Sequence, residues 1–191
     1  MKDKISVVFI DLDGCLVDWL NGIRKSLKLP ESFYDKYKEN PNLLSRKDVD
    51  ELFGGKAAFE VIQQRRDYNF WMNLDLFPWA NDLITLMQAN FPVAFLTSPG
   101  ACPVSGHAKI DWRNKHYHNI PIMLCREKYL AAAPGKVLID DEDGQVRRFN
   151  EAGGLAIQWP NQFKLLNLSE GEQKAVLKGT VQKIKDYGKT L

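Results

Sequence analysis

Residues 5–19 read ISVVFIDLDGCLVDW, an apolar run that ends abruptly in two carboxylates and a glycine. A long apolar run that is rich in β-branched residues is typical of a strand buried on both faces of a parallel sheet. Ligands of open α/β sheets bind beyond the carboxyl ends of the strands, which is where Asp11 and Asp13 fall. The stretch therefore predicts a buried first strand that leads into a ligand-binding edge.

The two carboxylates of this stretch point to a cation. Asp11 and Asp13 lie on the same side of the strand alternation, so their charges repel unless a cation or a proton lies between them. Hard divalent cations, Mg²⁺ above all, suit such oxygen ligands. Gly14 permits positive φ, so the turn can present N–H groups to an anion. The alternative is a strand that ends in an ordinary polar turn.

The bulk composition indicates an ordinary globular chain. With 191 residues and 45% hydrophobic content, it can form one domain, with or without an insertion. The net charge of +2 gives no strong signal for nucleic-acid binding. The first apolar run is too short for a signal peptide or a membrane span. Three widely spaced cysteines (Cys15, Cys102, Cys125) indicate reduced thiols, so we expect a cytoplasmic protein with no membrane partner.

Four more apolar runs predict strands, and helical patterns lie between them. This alternation is typical of a mostly parallel sheet with right-handed crossovers, so we expect an α/β, three-layer, Rossmann-like core. The predicted strands are 92–96, 120–124, 136–139 and 155–159. The predicted helices are 19–28, 80–90, 105–118, 143–151 with Asp143 as its cap, and a C-terminal helix with a Ser169–Glu172 capping box.

Residues 18–75 differ from the rest, because after the first helix they show short helical pieces and no strand pattern. The predicted pieces are 33–38, 46–53 and 56–66. We therefore predict a small helical cap at 18–75 and a core formed by 1–17 and 76–191. The paired Arg65 and Arg66 are expected to face solvent.

Polar side chains follow four of the predicted strands, and the ends of parallel strands share one edge. Acids from two strands can bind one Mg²⁺, a hydroxyl and a lysine can hold phosphoryl oxygens, and one carboxylate can attack phosphorus. The sequence therefore predicts a phosphoryl-transfer site. Its members, in chain order, are Asp11 and Asp13, Thr97 and Ser98, Arg126 and Lys128, and Asp140 and Asp141.

This set resembles the haloacid dehalogenase (HAD) superfamily and, within it, the 5'(3')-deoxyribonucleotidase family. The resemblance covers roughly 5–19 and 70–160 and thins out across 30–65. It rests on FIDLDG at 9–14 with Asp18-Trp19, on FLTSP at 95–99, on Lys109 three residues before Trp112, on Arg126-x-Lys128, and on LIDD at 138–141. Phe70-Trp71 also fits the aromatic return of that family from cap to core.

The resemblance implies a role for each acid. Asp11 is expected to be the nucleophile that forms an aspartyl-phosphate. Asp13 is expected to protonate the leaving hydroxyl and then to activate water. Mg²⁺ is expected between the Asp11 carboxylate, the Asp13 backbone carbonyl and one acid of the Asp140–Asp141 pair, for which the family suggests Asp141.

The resemblance also implies the residues that bind substrate. Thr97 and Lys128 are expected to hold phosphate oxygens with help from Ser98. Trp19 is expected to stack on a base, with Phe70 or Trp71 on the other side.

Several side chains keep two interpretations. Lys109 is either a helper to Lys128 or a surface helix residue, and Arg126 binds substrate or pairs with Glu127 or a core acid. Cys15 is expected to be a small apolar filler. Solvated histidines are a better interpretation of His107, His116 and His118 than a zinc site.

The predicted function is that of a hydrolase of phosphoric monoesters, a Mg²⁺-dependent, 5'-nucleotidase-like phosphatase acting on (deoxy)nucleoside monophosphates. Alternatives are a HAD phosphatase for another small phosphomonoester or for a nucleic-acid 3'-phosphate end, and a non-catalytic phospho-acceptor module. The mild net charge disfavours the polynucleotide substrate. The expected partner is a small molecule, and the aromatic-rich stretch 68–79 is a candidate homodimer contact.

Overall fold

The computed structural model describes residues 4–40, 52–64 and 66–191. Within these ranges, five strands form one parallel sheet in the order β3-β2-β1-β4-β5. They are β1 (Val7–Ile10), β2 (Val93–Thr97), β3 (Ile122–Leu124), β4 (Lys136–Asp140) and β5 (Leu155–Gln158). The predicted parallel α/β sheet is confirmed, with each strand within about two residues of its expected bounds.

Helices cover both faces of this sheet. Val8 and Ile10 of β1 pack into the cluster that contains Leu83, Trp112 and Leu177, whereas Phe9 packs into the opposite cluster, which contains Phe149. Alternate residues of one strand thus enter two cores, which gives the expected three layers. The helices of the core are α5 (Ala80–Gln88), α6 (Ser105–Tyr117), α7 (Asp143–Glu151), α8 (Gln162–Leu166) and α9 (Glu170–Thr190), with a 3₁₀ turn at Lys128–Ala131.

One predicted helix cap is confirmed and the other is wrong. Ser169 and Glu172 form the capping box of α9, in which each side chain accepts a hydrogen bond from the backbone N–H of the other residue. Asp143 does not cap α7, because Glu142 occupies the N-cap position. The Glu142 N–H donates to Asp140 Oδ1 at 2.9 Å, and this bond draws the helix start towards the end of β4.

The segment between β1 and α5 is helical in its described parts, 18–40, 52–64 and 66–75. Its helices are α1 (Trp19–Ser26), α2 (Asp35–Glu39), α3 (Lys56–Gln64) and α4 (Tyr68–Met72), with a 3₁₀ turn at Glu31–Tyr34. The helix predicted at 46–53 lies almost entirely outside the described residues. Treating 18–75 as a cap distinct from 1–17 and 76–191 stays a prediction.

An aromatic cluster holds these helices together and joins them to the rest of the chain. Tyr34, Tyr37 and Phe59 pack in it with Phe163 of α8. The Phe163 ring lies 5.7 Å from the Tyr34 ring and 6.3 Å from the Tyr37 ring, centroid to centroid. The segment between β1 and α5 therefore packs against α8, in addition to its covalent connections to β1 and α5. In the described ranges, no helix is both long and apolar enough to cross a membrane.

Candidate active site

Three carboxylates meet where β1 and β4 end. β1 and β4 are neighbours, with Ile10 paired to Ile139, so the residues that follow them emerge side by side. One oxygen each of Asp11, Asp140 and Asp141 lies within 4.8 Å of the other two. Asp11 and Asp140 are buried, and Asp141 remains open to solvent. This oxygen cluster has the donor type and spacing that suit a hard divalent cation.

Lys128 holds two of these carboxylates. The 3₁₀ turn after β3 places its buried ammonium 2.9 Å from Asp11 Oδ1 and 2.6 Å from Asp140 Oδ2. Burial alone would lower the pKa of Lys128, but Asp11 and Asp140 outweigh burial and raise it. Burial and the Asp11 charge raise the pKa of Asp140 to about 7, against the opposing effect of Lys128. The lysine therefore stays charged between two acids.

Lys109 binds Asp13 in the same way. Its Nζ lies 2.5 Å from Asp13 Oδ2 and also donates to Thr97 Oγ1 at 3.2 Å and to the Ser98 carbonyl oxygen at 2.9 Å. Lys109 is only 3% exposed, so its interpretation as a surface residue is wrong. Ser105, Ala108, Lys109 and Trp112 share one helical face that packs inward. Only Ala108 and Trp112 of this face are apolar, so hydrophobic periodicity gave no clear signal for the burial of Lys109.

The two oxygens of Asp13 have different surroundings. Oδ2 contacts Lys109, whereas Oδ1 is buried without a hydrogen-bond partner among the described residues. Burial raises the pKa of Asp13, Lys109 lowers it, and the Asp11 charge raises it, with a net increase above the ordinary value. The raised pKa makes the protonated form of Asp13 easier to reach than for an ordinary aspartate, and Oδ1 is free to transfer that proton.

Gly14 fits closely against the carboxylate cluster. Its φ of 80° favours glycine, and a Cβ at this position would collide with the Asp141 carboxylate. The next residue, Cys15, is fully buried, and burial raises the pKa of its thiol well above the usual value, followed by the effect of the Asp141 charge. Its thiol is therefore neutral, in agreement with a filler role.

The aromatic side chains predicted to bind substrate differ in burial. Trp19 and Phe70 are half-buried, while Trp71 is 3% exposed. The Trp19 ring meets the Phe59 ring edge-on at 5.8 Å, and the Phe70 ring meets the Trp71 ring edge-on at 5.1 Å. The Lys109 ammonium lies 4.8 Å from the Trp71 ring centroid, so this aromatic pair begins beside the acids. Base stacking on Trp19 stays a prediction.

Arg126 does not enter the cluster of carboxylates and lysines. It is exposed, and its Nη2 donates to the carbonyl oxygen of Gly100 at 3.1 Å. Pairing with Glu127 is wrong, since Glu127 pairs with Arg148 at 2.6 Å. Arg126 therefore connects the segment after β3 to the loop after β2, and a substrate contact stays a prediction.

The histidines of α6 take part in local contacts. His107 Nε2 lies 3.1 Å from Asp111 Oδ2, and the His116 ring stacks on Trp112 at 4.7 Å. His107 is largely exposed, as expected for a solvated helix residue.

Arg66 contradicts the expectation that the arginine pair faces solvent. It is 5% exposed, and its guanidinium lies 4.3 Å from the Phe70 ring centroid. Its partner in the pair, Arg65, lies outside the described residues. Adjacent charges in an insertion carry no periodic signal that separates a buried arginine from an exposed one.

Solved structures with a similar fold include HAD-like hydrolases. A haloacid dehalogenase-like family hydrolase from Streptococcus pneumoniae matches with a TM-score of 0.53 and 19% identity over 86% of this chain and 90% of that one. A HAD-like hydrolase from Xanthomonas campestris matches with a TM-score of 0.54 and 12% identity over 97% and 95% of the two chains. The chain therefore has a HAD-like fold.

A third match, the magnesium-bound putative HAD hydrolase YfnB from Bacillus subtilis, has a TM-score of 0.51 and 14% identity over 81% of this chain and 86% of that one. No family model matches the sequence, and no curated protein is similar to it. Identities this low establish the fold alone. The fold that the resemblance implies is confirmed, and membership of the superfamily and of the deoxyribonucleotidase family stays a prediction.

Proposed function

We propose that the chain is a Mg²⁺-dependent phosphomonoesterase that hydrolyses nucleoside monophosphates through an aspartyl-phosphate. One observation carries the proposal: Asp11 lies in contact with Lys128 and within 4.8 Å of the carboxylates of Asp140 and Asp141, at the carboxyl ends of neighbouring strands. A cation, a lysine and a nucleophilic carboxylate at one point are what phosphoryl transfer needs.

The residues present fit Mg²⁺. Asp11, Asp140 and Asp141 supply oxygen donors, and Gly14 leaves the space beside Asp141 that any side chain would fill. Mg²⁺ bound there would neutralise charge on the phosphoryl oxygens during transfer. Three acids against Lys128 leave an excess of negative charge, which a dication would balance.

In the first step, an Asp11 carboxylate oxygen attacks phosphorus, and the bond from phosphorus to the ester oxygen breaks. The leaving alkoxide takes the proton of Asp13, for which the raised pKa of Asp13 is suited. The buried ammonium of Lys128 and the hydroxyl of Thr97 would orient the phosphoryl oxygens. The products of this step are a free alcohol and phosphorylated Asp11.

In the second step, the Asp13 carboxylate takes a proton from water. The resulting hydroxide attacks the phosphorus of phosphorylated Asp11, which releases inorganic phosphate and restores both acids. Lys109 would keep Asp13 in one orientation through both steps, since it contacts Oδ2 and leaves Oδ1 free. The helical insertion would exclude bulk water from the phosphorylated carboxylate.

Two features favour this function over the alternatives. A dehalogenase has no need for a second acid such as Asp13, whereas leaving-group protonation in ester hydrolysis requires one. A phospho-acceptor module has no need for the large helical insertion after β1. Preference for nucleotides is supported by the half-buried rings of Trp19 and Phe70 in that insertion.

The test is a phosphatase screen over nucleoside monophosphates, sugar phosphates and p-nitrophenyl phosphate, with Mg²⁺ and with a chelator. We expect Mg²⁺-dependent turnover that favours nucleotides, and a loss of at least about 10³-fold in Asp11→Asn. Asp186→Asn, a surface acid on α9, is the matched control and should retain full activity. Retained turnover in Asp11→Asn contradicts the mechanism, and a flat substrate profile contradicts the nucleotide preference.

A further inference from the structure

Arg66 is a buried cation that has no anionic partner among the residues that the structure describes. It is 5% exposed, and its Nη1 donates to Ser26 Oγ at 3.1 Å. Its Nε and Nη2, which form one side-on edge of the guanidinium, have no hydrogen-bond partner among the described residues. In the same ranges, no carboxylate forms an ion pair with it. A buried charged donor left unpaired is costly, and a ligand that supplies acceptors removes that cost.

The electrostatics of Arg66 agree with this geometry. Burial lowers its pKa to about 10, and the nearby Tyr34 and Cys102 offset only part of that effect. The ring of Phe70, 4.3 Å from the guanidinium carbon, gives a cation–π contact to one face of the group. This contact leaves the in-plane N–H groups of the free edge unsatisfied.

The position of Arg66 connects it to the candidate active site. The Lys109 ammonium beside Asp13 lies 4.8 Å from the Trp71 ring, the Trp71 ring lies 5.1 Å from the Phe70 ring, and Phe70 contacts Arg66. A chain of side-chain contacts through Trp71 and Phe70 therefore connects the acids to the guanidinium. The backbone oxygen of Arg66 also accepts the Cys102 thiol at 2.7 Å, on the loop that follows Thr97 and Ser98.

We propose that Arg66 is a specificity residue whose free edge binds two adjacent hydrogen-bond acceptors at the end of the substrate remote from the transferred phosphate. This rests on the proposed phosphomonoesterase function. The planar Nε–Nη2 edge matches a pair of acceptors bidentately, either oxygens of a second anionic group or O6 and N7 of a 6-oxopurine. Both sources present the same acceptor chemistry, and the contacts through Trp71 and Phe70 set how far from Asp13 those acceptors would be bound.

The test compares four phosphomonoesters on wild type and Arg66→Met. Guanosine 5'-monophosphate offers the oxopurine edge, and adenosine 3',5'-bisphosphate offers a second anion. Adenosine 5'-monophosphate and p-nitrophenyl phosphate offer neither. We expect wild type to favour one of the first two over adenosine 5'-monophosphate by about tenfold to a hundredfold in kcat/KM, and Arg66→Met to abolish that advantage while p-nitrophenyl phosphate turnover is retained. Which substrate is favoured identifies the source of the acceptors.

Two further variants separate recognition from folding. Arg66→Lys keeps the charge without the fork and should also lose the preference. Arg24→Met is the matched control, because the Arg24 donors are satisfied by Asn21 and the Leu29 carbonyl within the insertion, and it should keep the preference. The Tm of ligand-free Arg66→Met should equal or exceed that of wild type, since an uncompensated charge is removed.

The proposal is overturned if Arg66→Met changes kcat/KM for all four substrates by the same factor, or if wild type favours neither acceptor-bearing nucleotide. Should wild type hydrolyse no phosphomonoester, the proposed function fails and Arg66 is tested by binding alone. A rise in Tm on adding guanosine 5'-monophosphate or adenosine 3',5'-bisphosphate to wild type, absent in Arg66→Met, then supports the role of Arg66. The lack of any such rise overturns it.

Discussion

Buried cations are paired with carboxylates at the strand ends, whereas a buried cation of the helical insertion contacts neutral groups. Lys128 and Lys109, both at most 3% exposed, each contact a carboxylate within 3 Å. Arg66 is 5% exposed and contacts a serine hydroxyl and an aromatic ring instead. The strand ends thus form a network whose lysines are fully paired and whose acids retain negative charge. In its described part, the insertion contributes Arg66, a buried positive group with unpaired N–H donors, so the two regions would accept ligands of opposite hydrogen-bonding type.

The largest expected effect comes from leaving buried charges at the strand ends without a counter-ion, which is the situation of Arg66 in the insertion. Lys128→Met leaves Asp11 and Asp140 buried without their counter-ion, which should lower the free energy of unfolding by about 3–5 kcal/mol. Phosphatase turnover should fall to the detection limit, because the phosphoryl oxygens lose a buried cation. Chemical denaturation in the presence of a chelator measures the first effect, and a p-nitrophenyl phosphate assay measures the second.

Lys174→Met is the control for this change. Lys174 also pairs with a carboxylate at 2.5 Å, that of Glu170, but both side chains are more than half exposed. Water screens such a pair, so its removal should leave the denaturation midpoint and the turnover unchanged. Equal losses of stability in the two variants would contradict the view that burial gives the Lys128 contacts their importance.

The strand-end site could be predicted from sequence because it follows from topology. Parallel strands that alternate with helices must end at a common edge, so residues such as Asp11 and Asp140 had to approach one another. The hydrophobic runs located the strands to within about two residues. The burial of Lys109 could not be predicted in this way, because the inward face of α6 combines Ser105 and Lys109 with Ala108 and Trp112 and lacks an apolar stripe.

The insertion could not be predicted to the same depth. Its core is built from rings on short helices and a 3₁₀ turn, as with Tyr34 and Tyr37, and these meet Phe163 from more than 120 residues away. Elements this short have too few residues for a periodic pattern that would predict which rings contact one another. The burial of Arg66 depends on that packing, and charge alone suggested the opposite.

A second prediction tests how closely the strand-end site is built around a cation. Gly14→Ala should place a Cβ against the Asp141 carboxylate and should weaken activation by Mg²⁺ by about 10- to 100-fold. The change also forces a side chain into positive φ, which costs about 1–2 kcal/mol by itself. The concentration of Mg²⁺ that gives half-maximal activity is the measurement.

Gly153→Ala separates the two causes. Gly153 has a φ of 88°, close to that of Gly14, but a Cβ there would meet nothing within 4 Å. It should therefore show the loss of stability from strain and an unchanged requirement for Mg²⁺. If Gly14→Ala and Gly153→Ala retain the same Mg²⁺ activation curve, Asp141 does not act in cation binding as proposed.

The smallest expected effect concerns pH and follows from the excess of acids over lysines at the strand ends. The pKa of Asp140 is raised to about 7 in the folded protein by burial and by Asp11, against an ordinary value of 3.8. Between these values the folded chain holds a proton that the unfolded chain releases, so stability without metal falls as pH rises from about 4 to 7. Mg²⁺ binds the deprotonated carboxylates, so its stabilising effect should grow over the same interval.

Thermal unfolding at pH 5, 6, 7 and 8, with a chelator and with Mg²⁺, measures both trends. We expect the Tm in chelator to decline by several degrees across this series, and the gap between the two curves to widen towards pH 8. Asp140→Asn removes one titrating group and should reduce the slope of the chelator curve below pH 7, while Asp13 and Asp141, whose pKa values are also raised, keep part of that slope. Arg66→Met should leave the slopes of both curves unchanged, because its guanidinium remains charged throughout the series. A gap that is constant with pH would mean that protons and Mg²⁺ do not compete for these carboxylates, and the strand-end acids would then lack the cation site that sets them apart from the insertion.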